Sequence, residues 1–320
     1  MPEVVSLGEL LIDFVPTTAG VALTEAEAFI MAPGGAPANV AVGLVRLGVS
    51  SGFMGQVGDD AFGHFLAQTL RNNGVDTAGL RFSPEARTAL AFVSLKADAE
   101  RDFMFYRHPS ADMLYRPEAV DADYIVSAKI FHFGSLSLIA EPARNATLRA
   151  VGIAREAGRL VSYDPNLRLP LWPDADVARA AIKMGWSLAQ VIKVSEEELF
   201  FLSGTDSIVE SARRLWHSDL RLLAITRGPL GCVYVTPKFT GEVSGFQVEA
   251  VDTTGAGDAF TAGLLKGLVD CPDAPDIEAS LHQLCRYANA AGALTTTRRG
   301  AIPVLPTAEQ VVKFLAAQDD

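Results

Sequence analysis

The segment Val251-Asp252-Thr253-Thr254-Gly255-Ala256-Gly257-Asp258-Ala259-Phe260 combines the residue types needed to hold an anion beside a carboxylate. A β-prone start meets a Gly-Ala-Gly turn, and an amphipathic helix is expected to follow over Ala259–Val269. Small residues let the backbone turn tightly, so the N–H groups of Gly255, Ala256 and Gly257 can converge on one point at a helix N-terminus. Such a point stabilises negative charge, including that of a phosphoryl group in transfer. Asp258 falls in the first helical turn, beside this anion hole. Taken bare, the pattern also fits a plain glycine turn with an acidic residue near a helix start. Asp252 and the two threonines make it more specific.

A second glycine pair opens a helix at Pro33-Gly34-Gly35-Ala36-Pro37-Ala38-Asn39-Val40-Ala41. Gly34 and Gly35 let a ligand approach the backbone, and Asn39 can offer an amide to a polyol. Asp13, after the first strand, is an acceptor suited to paired sugar hydroxyls, or else a solvated turn residue. Three polar stretches directly follow apolar runs: Ser162 to Arg168, Lys193 to Glu198, and Thr226 to Gly231. Ligands of open α/β sheets gather outside the carboxyl ends of the strands, so these stretches belong to one crevice. Each alone also fits capping or turn chemistry, Glu196 to Glu198 most of all.

The elements that must position these residues alternate between short β-rich runs and longer helical patterns. Strands are expected over Val4–Leu7, Ser51–Gln56, Lys129–Phe133, Leu160–Asp164, Gln190–Val194, Leu222–Thr226 and Gly231–Thr236. Helical spacing marks Pro37–Leu47, Ala61–Asn73, Pro142–Ala157, Ser207–Trp216, Ile277–Leu294 and Ala308–Ala317 besides the helix after Gly257. This rhythm predicts an α/β fold, a doubly wound and mainly parallel sheet with helices on both faces, in one domain over residues 1–320. Two inserts, Phe14–Met31 and Arg87–Tyr106, break the rhythm and read as antiparallel strands, with a polar turn at Ala97–Glu100. They would form a small β-strand lid, the alternative being an ordinary surface hairpin.

Composition and absent motifs exclude other classes. Hydrophobic residues make up 49% and charged residues 20% of 320, which excludes disorder. Acidic residues outnumber basic ones 38 to 27, a net charge of −11, so neither nucleic acid nor a membrane surface is an expected partner. No run of 18 apolar residues occurs. Cys232, Cys271 and Cys285 have no metal-site spacing and read as buried thiols. The N-terminus enters a strand without a basic, signal-like region, so a cytoplasmic location is expected. No Walker A loop, GxGxxG, HExxH or GxSxG sequence is present.

Taken together, these residues resemble the PfkB carbohydrate kinase family, also called the ribokinase family. The Gly34-Gly35 segment looks like its first signature and Asp252–Phe260 like its second. The phrases GELLIDF, GGAPANVAVGLVRLG, FMFYRHPSADMLY, FHFGSLSLI, SYDPNLRLPLW, KVSEEELFFL and RYANAAGALTTTRRGAIPVLPT resemble the plant and bacterial fructokinase branch of that family, in order along the chain. The resemblance implies a ribokinase-like fold and ATP-dependent phosphorylation of D-fructose at the 6-hydroxyl. A 2-keto-3-deoxygluconate kinase or another sugar kinase is the alternative, and a catalytically inactive binding protein a remoter one.

By the same resemblance Asp258 would be the base, with Gly255, Ala256 and Gly257 as the anion hole. Asp13, Gly34, Gly35 and Asn39 would contact the sugar, and Arg168 the sugar or the transferring phosphoryl. Thr226, Gly228 and Gly231 match the nucleotide loop, and Ala288 and Asn289 the adenine-side helix. Glu196 would organise Mg2+ through water. Where the family commonly has Asn-x-x-Glu, this chain has Lys193 three residues before Glu196, so Lys193 is a candidate contact to nucleotide phosphate. Asp252 and Thr254, with the Thr295–Gly300 loop, match a site for a monovalent cation such as K+. The lid is a candidate homodimer contact.

Overall fold

Successive apolar residues of the short strands go to opposite faces of one sheet, and helices cover both faces. The computed structural model describes residues 1–18, 20–95 and 101–319. The chain starts with β1 (Val4–Leu7), β2 (Leu11–Pro16), β3 (Phe29–Gly34), α1 (Ala36–Arg46), β4 (Ser51–Gly58), α2 (Ala61–Asn72) and β5 (Asp76–Ser83). Next come β6 (Leu90–Leu95), β7 (Arg101–Tyr106), α3 (Ala122–Val126), β8 (Ile130–Gly134), α4 (Ala143–Glu156), β9 (Leu160–Asp164) and α5 (Ala175–Trp186). The remainder holds β10 (Val191–Ser195), α6 (Glu196–Ser203), α7 (Ile208–Leu215), β11 (Leu222–Thr226), β12 (Gly231–Val235) and β13 (Thr240–Ser244). Three helices close the chain: α8 (Ala256–Asp270), α9 (Glu278–Thr296) and α10 (Ala308–Asp319).

Among the described residues the main sheet has nine strands in the order β13-β12-β11-β10-β9-β8-β1-β4-β5. All neighbours from β11 to β5 are parallel, and β12 and β13 add an antiparallel edge. Val5, Phe131, Val161, Ile192 and Leu223 point into a core shared with α4, α5, α6 and α7. Their neighbours Val4, Ile130, Val191 and Leu222 point into the opposite core, beneath α1, α8 and α9. Burial on both faces explains the near-continuous apolar runs. Phe131 and Phe133, both fully buried, each contribute about 1.5–3 kcal/mol through removal from water. The strand order reverses beside β1, so the carboxyl ends of β1 and β8 border the crevice such sheets offer to ligands.

The second sheet runs β3-β2-β6-β7. Here the structure corrects the expectation of purely antiparallel inserts: β2–β3 and β6–β7 are antiparallel, but the central pair β2–β6 is parallel. β3, α1, β4, α2 and β5 separate these two strands in the chain, so the geometry of a hairpin does not constrain them. Phe14 stacks on Phe92 across this pair, at 4.9 Å, and meets Phe62 of α2 edge-on at 6.0 Å. The strands begin at Leu11 and extend to Gly34, beyond the expected insert. The predicted turn Ala97–Glu100 lies outside the described residues.

Other differences have local causes. Val251 is exposed and not in a strand; its N–H and that of Asp252 bond the Thr296 carbonyl at the end of α9. α5 and α6 escaped the periodicity reading but carry clear caps. Asp174 accepts from the N–H groups of Asp176 and Val177, and Ser195 and Glu198 form a reciprocal capping box. β5, β13 and the short α3 were also not anticipated.

Candidate active site

α8 is preceded by its N-cap Gly255, whose φ of +78° is left-handed. Asp258 lies in the first turn of the helix, and its carboxyl does not turn back onto that helix. Oδ2 accepts a 2.7 Å hydrogen bond from Asn39 Nδ2 in α1. Both side chains are buried, and Asn39 Oδ1 has no hydrogen-bond partner among the described residues. A buried acceptor without a donor is costly, so this oxygen is suited to a ligand hydroxyl. Burial pushes the Asp258 pKa up to about 6, against the Asn39 hydrogen bond, which lowers it. A carboxylate with such a pKa is ionised at neutral pH yet basic enough to take a proton.

The turn before α1 is shaped by two acids. Gly35 has φ +112°, and a Cβ on it would lie 2.4 Å from the Glu9 carbonyl oxygen, so only glycine fits. At Gly34 the space a side chain would need is occupied by Asp13, whose Oδ2 lies 2.2 Å from an added Cβ. Asp13 therefore sits on β2 directly against the glycine turn. Burial raises its pKa to about 7, opposed by Arg168 and reinforced by Asp258, which places all three within one electrostatic neighbourhood. Glu9, which the sequence reading gave no role, accepts from Ala36 N at 2.9 Å and pins the start of α1. Burial pushes its pKa up to about 7 as well.

The cationic side of the crevice comes from β9 and β10. Lys193 Nζ is 3.1 Å from Asp164 Oδ2, and both side chains are buried. The same ammonium lies 3.0 Å from where a Cβ on Gly257 would stand. Burial pulls the Lys193 pKa down, but Asp164 and Glu198 outweigh it and hold it above the ordinary lysine value. Arg168 follows a turn fastened at two points: Asn166 N donates to Asp164 Oδ1 at 3.2 Å, and Leu167 N to Glu198 Oε1 at 2.6 Å. Glu198 is thus both a helix cap and a clamp on this turn. Asp164, Glu198 and Thr261 had no roles from sequence; the acid at a strand end before Pro165-Asn166 was the available signal.

The remaining candidates come from strand ends, from α9 and from the turn before α8, and differ in what their atoms do. Glu196 opens α6, half-buried, with Arg227 Nε 3.4 Å from its carboxylate. Thr226 ends β11 in register with Ser195 and donates to Val194 O at 3.4 Å. Gly228 and Gly231 bracket the short turn into β12. Ala288 is fully buried against Gly263 of α8. Asn289 directs Nδ2 to the Val243 and Ser244 carbonyls at 3.1 and 3.2 Å, so it anchors β13. Asp252 Oδ1 accepts from Thr254 N and Oγ1 at 2.9 and 2.7 Å, and Oδ2 from Gly300 N at 2.9 Å. That carboxylate ties the turn before α8 to the loop after α9. Among the described residues no cluster of three or more His, Cys, Asp or Glu is arranged to hold a metal ion.

A turn of small residues at a helix N-terminus, a buried carboxylate and a buried ammonium can together align a hydroxyl with a phosphoryl group. The profile of the pfkB family carbohydrate kinases matches residues 1–308. Probable fructokinase-4 of Arabidopsis thaliana is 56% identical over 313 residues, covering 98% of this chain and 96% of that protein. The structure of fructokinase with bound ATP from Xylella fastidiosa superposes with a TM-score of 0.92 at 35% identity, covering 100% of both chains. A fructokinase double mutant from Vibrio cholerae O395, in its fructose, ADP and potassium ion bound form, gives 0.88 at 37% identity, with 98% of each chain covered. The architecture common to these proteins is the ribokinase-like α/β fold.

Proposed function

The chain belongs to the pfkB family of carbohydrate kinases, and on that premise we propose that it transfers the γ-phosphoryl group of ATP to the 6-hydroxyl of D-fructose, giving fructose 6-phosphate and ADP. The observation that carries this reading is the buried Asp258 carboxylate, held by Asn39 at the N-terminal turn of α8. Asp258 takes the proton as the sugar oxygen attacks phosphorus. The N–H groups of Gly255, Ala256 and Gly257 stabilise charge on the transferring group, and Lys193 adds a fixed positive charge beside them. Asp13, the Gly34-Gly35 turn and Asn39 orient the sugar; Arg168 faces it or the phosphoryl from the other side. Thr226, Gly228 and Gly231 line the nucleotide, with Ala288 and Asn289 shaping the helix behind the adenine.

The donor set fits magnesium in the form nucleotide enzymes use. Mg2+ needs only one or two protein carboxylates when phosphates and water complete its octahedron, and half-buried Glu196 is one such carboxylate. Glu196 would hold the ion through water, and the ion when bound neutralises charge on the phosphates. Asp252 and Thr254 are the residues that would border a monovalent cation beside the anion hole.

The small sheet of β3, β2, β6 and β7 acts in this reading as a lid, within a single kinase domain. Exposed Val15, Ile30, Met104 and Tyr106 support a second copy of the chain as its partner. Three free cysteines support a reducing, cytoplasmic compartment. Among the described residues no helix is long and apolar enough to cross a membrane.

A panel of sugars with ATP, read by coupled ADP release, tests the activity. Turnover highest with fructose and product phosphorylated at O6 is expected. Preference for 2-keto-3-deoxygluconate would replace the substrate, and no turnover with any sugar would leave a binding protein.

A further inference from the structure

Asp164 ends β9 in the middle of the crevice with 3% of its surface exposed, and its carboxylate binds three separate parts of the site. Oδ2 meets Lys193 Nζ of β10 at 3.1 Å and accepts from Thr261 Oγ1 of α8 at 3.1 Å. Oδ1 accepts from Asn166 N at 3.2 Å. Thr261 lies one turn beyond Asp258, and its single hydroxyl proton is shared between Asp164 and the Gly257 carbonyl, 3.0 Å away. Asn166 has φ +42°, a left-handed conformation uncommon outside glycine, and the Asp164 side chain holds the turn that needs it.

A buried ion pair seldom adds net stability, because desolvating both charges offsets their attraction. Its value in this crevice is pre-organisation. A lysine side chain has four rotatable carbons, and only a fixed partner keeps its charge at one point. We propose that Asp164 is a positioning residue for phosphoryl transfer: it fixes the Lys193 ammonium against the Gly255–Gly257 turn and ties it to the helix of Asp258 and the turn of Arg168. This rests on the phosphoryl-transfer reading above.

The charges around Asp258 make the arrangement measurable. Asp164 from β9 raises the Asp258 pKa, whereas Lys193 from β10 and Arg168 lower it. Asp13 faces Asp258 from β2. Glu198 of α6 faces Lys193, and His132 of β8 faces both Lys193 and Asp164 with a pKa brought down to about 4, chiefly by burial, so it is neutral above pH 5. Removing either member of the pair therefore shifts Asp258 in opposite directions.

The test uses Asp164→Asn, which keeps the shape, and Lys193→Met, which keeps the aliphatic stem. Kinetics are paired with a 13C NMR titration of the Asp258 carboxyl in the free protein. Misplacing the cation should lower kcat in Asp164→Asn on the order of 10²-fold, with the KM for fructose nearly unchanged. Asp258 should titrate lower in Asp164→Asn and higher in Lys193→Met. Wild-type kcat in Asp164→Asn, or shifts of the same sign in both variants, would overturn the proposal. If Asp164→Asn does not fold, an unshifted Asp258 in Lys193→Met overturns it alone. Absence of fructose turnover in the wild type defeats the kinase reading separately, and the titration of the free protein still decides whether the pair controls Asp258.

Discussion

Asn39 Nδ2 donates to Asp258 Oδ2 at 2.7 Å, so the starts of two helices separated by 219 positions in the chain meet at one carboxylate. The bond occupies one oxygen of Asp258 and orients the other. It also keeps the ionised form accessible inside a buried site, because a donor to the carboxylate partly offsets desolvation.

Asp258→Asn preserves shape and removes the base. Loss of a general base typically costs ~10²–10⁴-fold, so kcat should collapse with ATP affinity little changed. In the wild type, kcat/KM for fructose should fall as pH drops through about 6, the value to which burial raises Asp258. An Asp258→Asn protein within a few-fold of wild-type kcat removes this residue from the mechanism.

Asp13→Ala should raise the KM for fructose far more than the KM for ATP. The sugar hydroxyls would lose an acceptor in a site where unpaired polar groups are costly. Equal effects on both substrates would mean that Asp13 serves chiefly to brace the Gly34 turn, against which it packs.

Stability of the free protein should fall from about pH 4 to pH 8. The folded pKa values of Glu9, Asp13 and Asp258 are raised, to about 7, 7 and 6, so the folded state binds more protons than the unfolded one across this interval. Their contribution is complete below the unfolded values and is lost as pH rises through the folded ones. Asp258→Asn should accordingly raise Tm at pH 8, a stabilisation on the order of 3 kcal/mol, and the gain should vanish near pH 4. A gain independent of pH would contradict the linkage.

Hydrogen exchange in β6 and β7 should slow when fructose is added, more than in the core strand β8. A closing sheet excludes water from the phosphoryl group. Exchange indifferent to sugar would identify the small sheet as a fixed contact between copies.

Activity in buffer free of sodium and potassium should rise on adding KCl, with choline chloride at the same ionic strength as control. A cation beside Asp252 would order the turn that carries the anion-hole amides. Identical responses to the two salts would leave only screening and eliminate the site.

The main sheet was largely legible because strand and helix periods, caps and glycine turns are local. β1, β9 and β11 occur at their expected residues, and both small-residue turns open helices. β13 and β5 were not legible, since these edge strands begin with exposed and half-exposed polar residues that give weak apolar signals, and the parallel pairing of β2 with β6 depends on strands far apart in the chain.

At the site, local order along the chain dictates which residues stand at strand ends and helix starts, because backbone turning is set by neighbours within a few positions. Tertiary structure decided where their atoms point. It aims Lys193 at Asp164 and beneath Gly257, turns Asn289 toward the β13 carbonyls, and brings Asn39 to Asp258. Those choices depend on which distant group can satisfy a buried charge or hydrogen-bonding atom, and only packing brings such groups within reach.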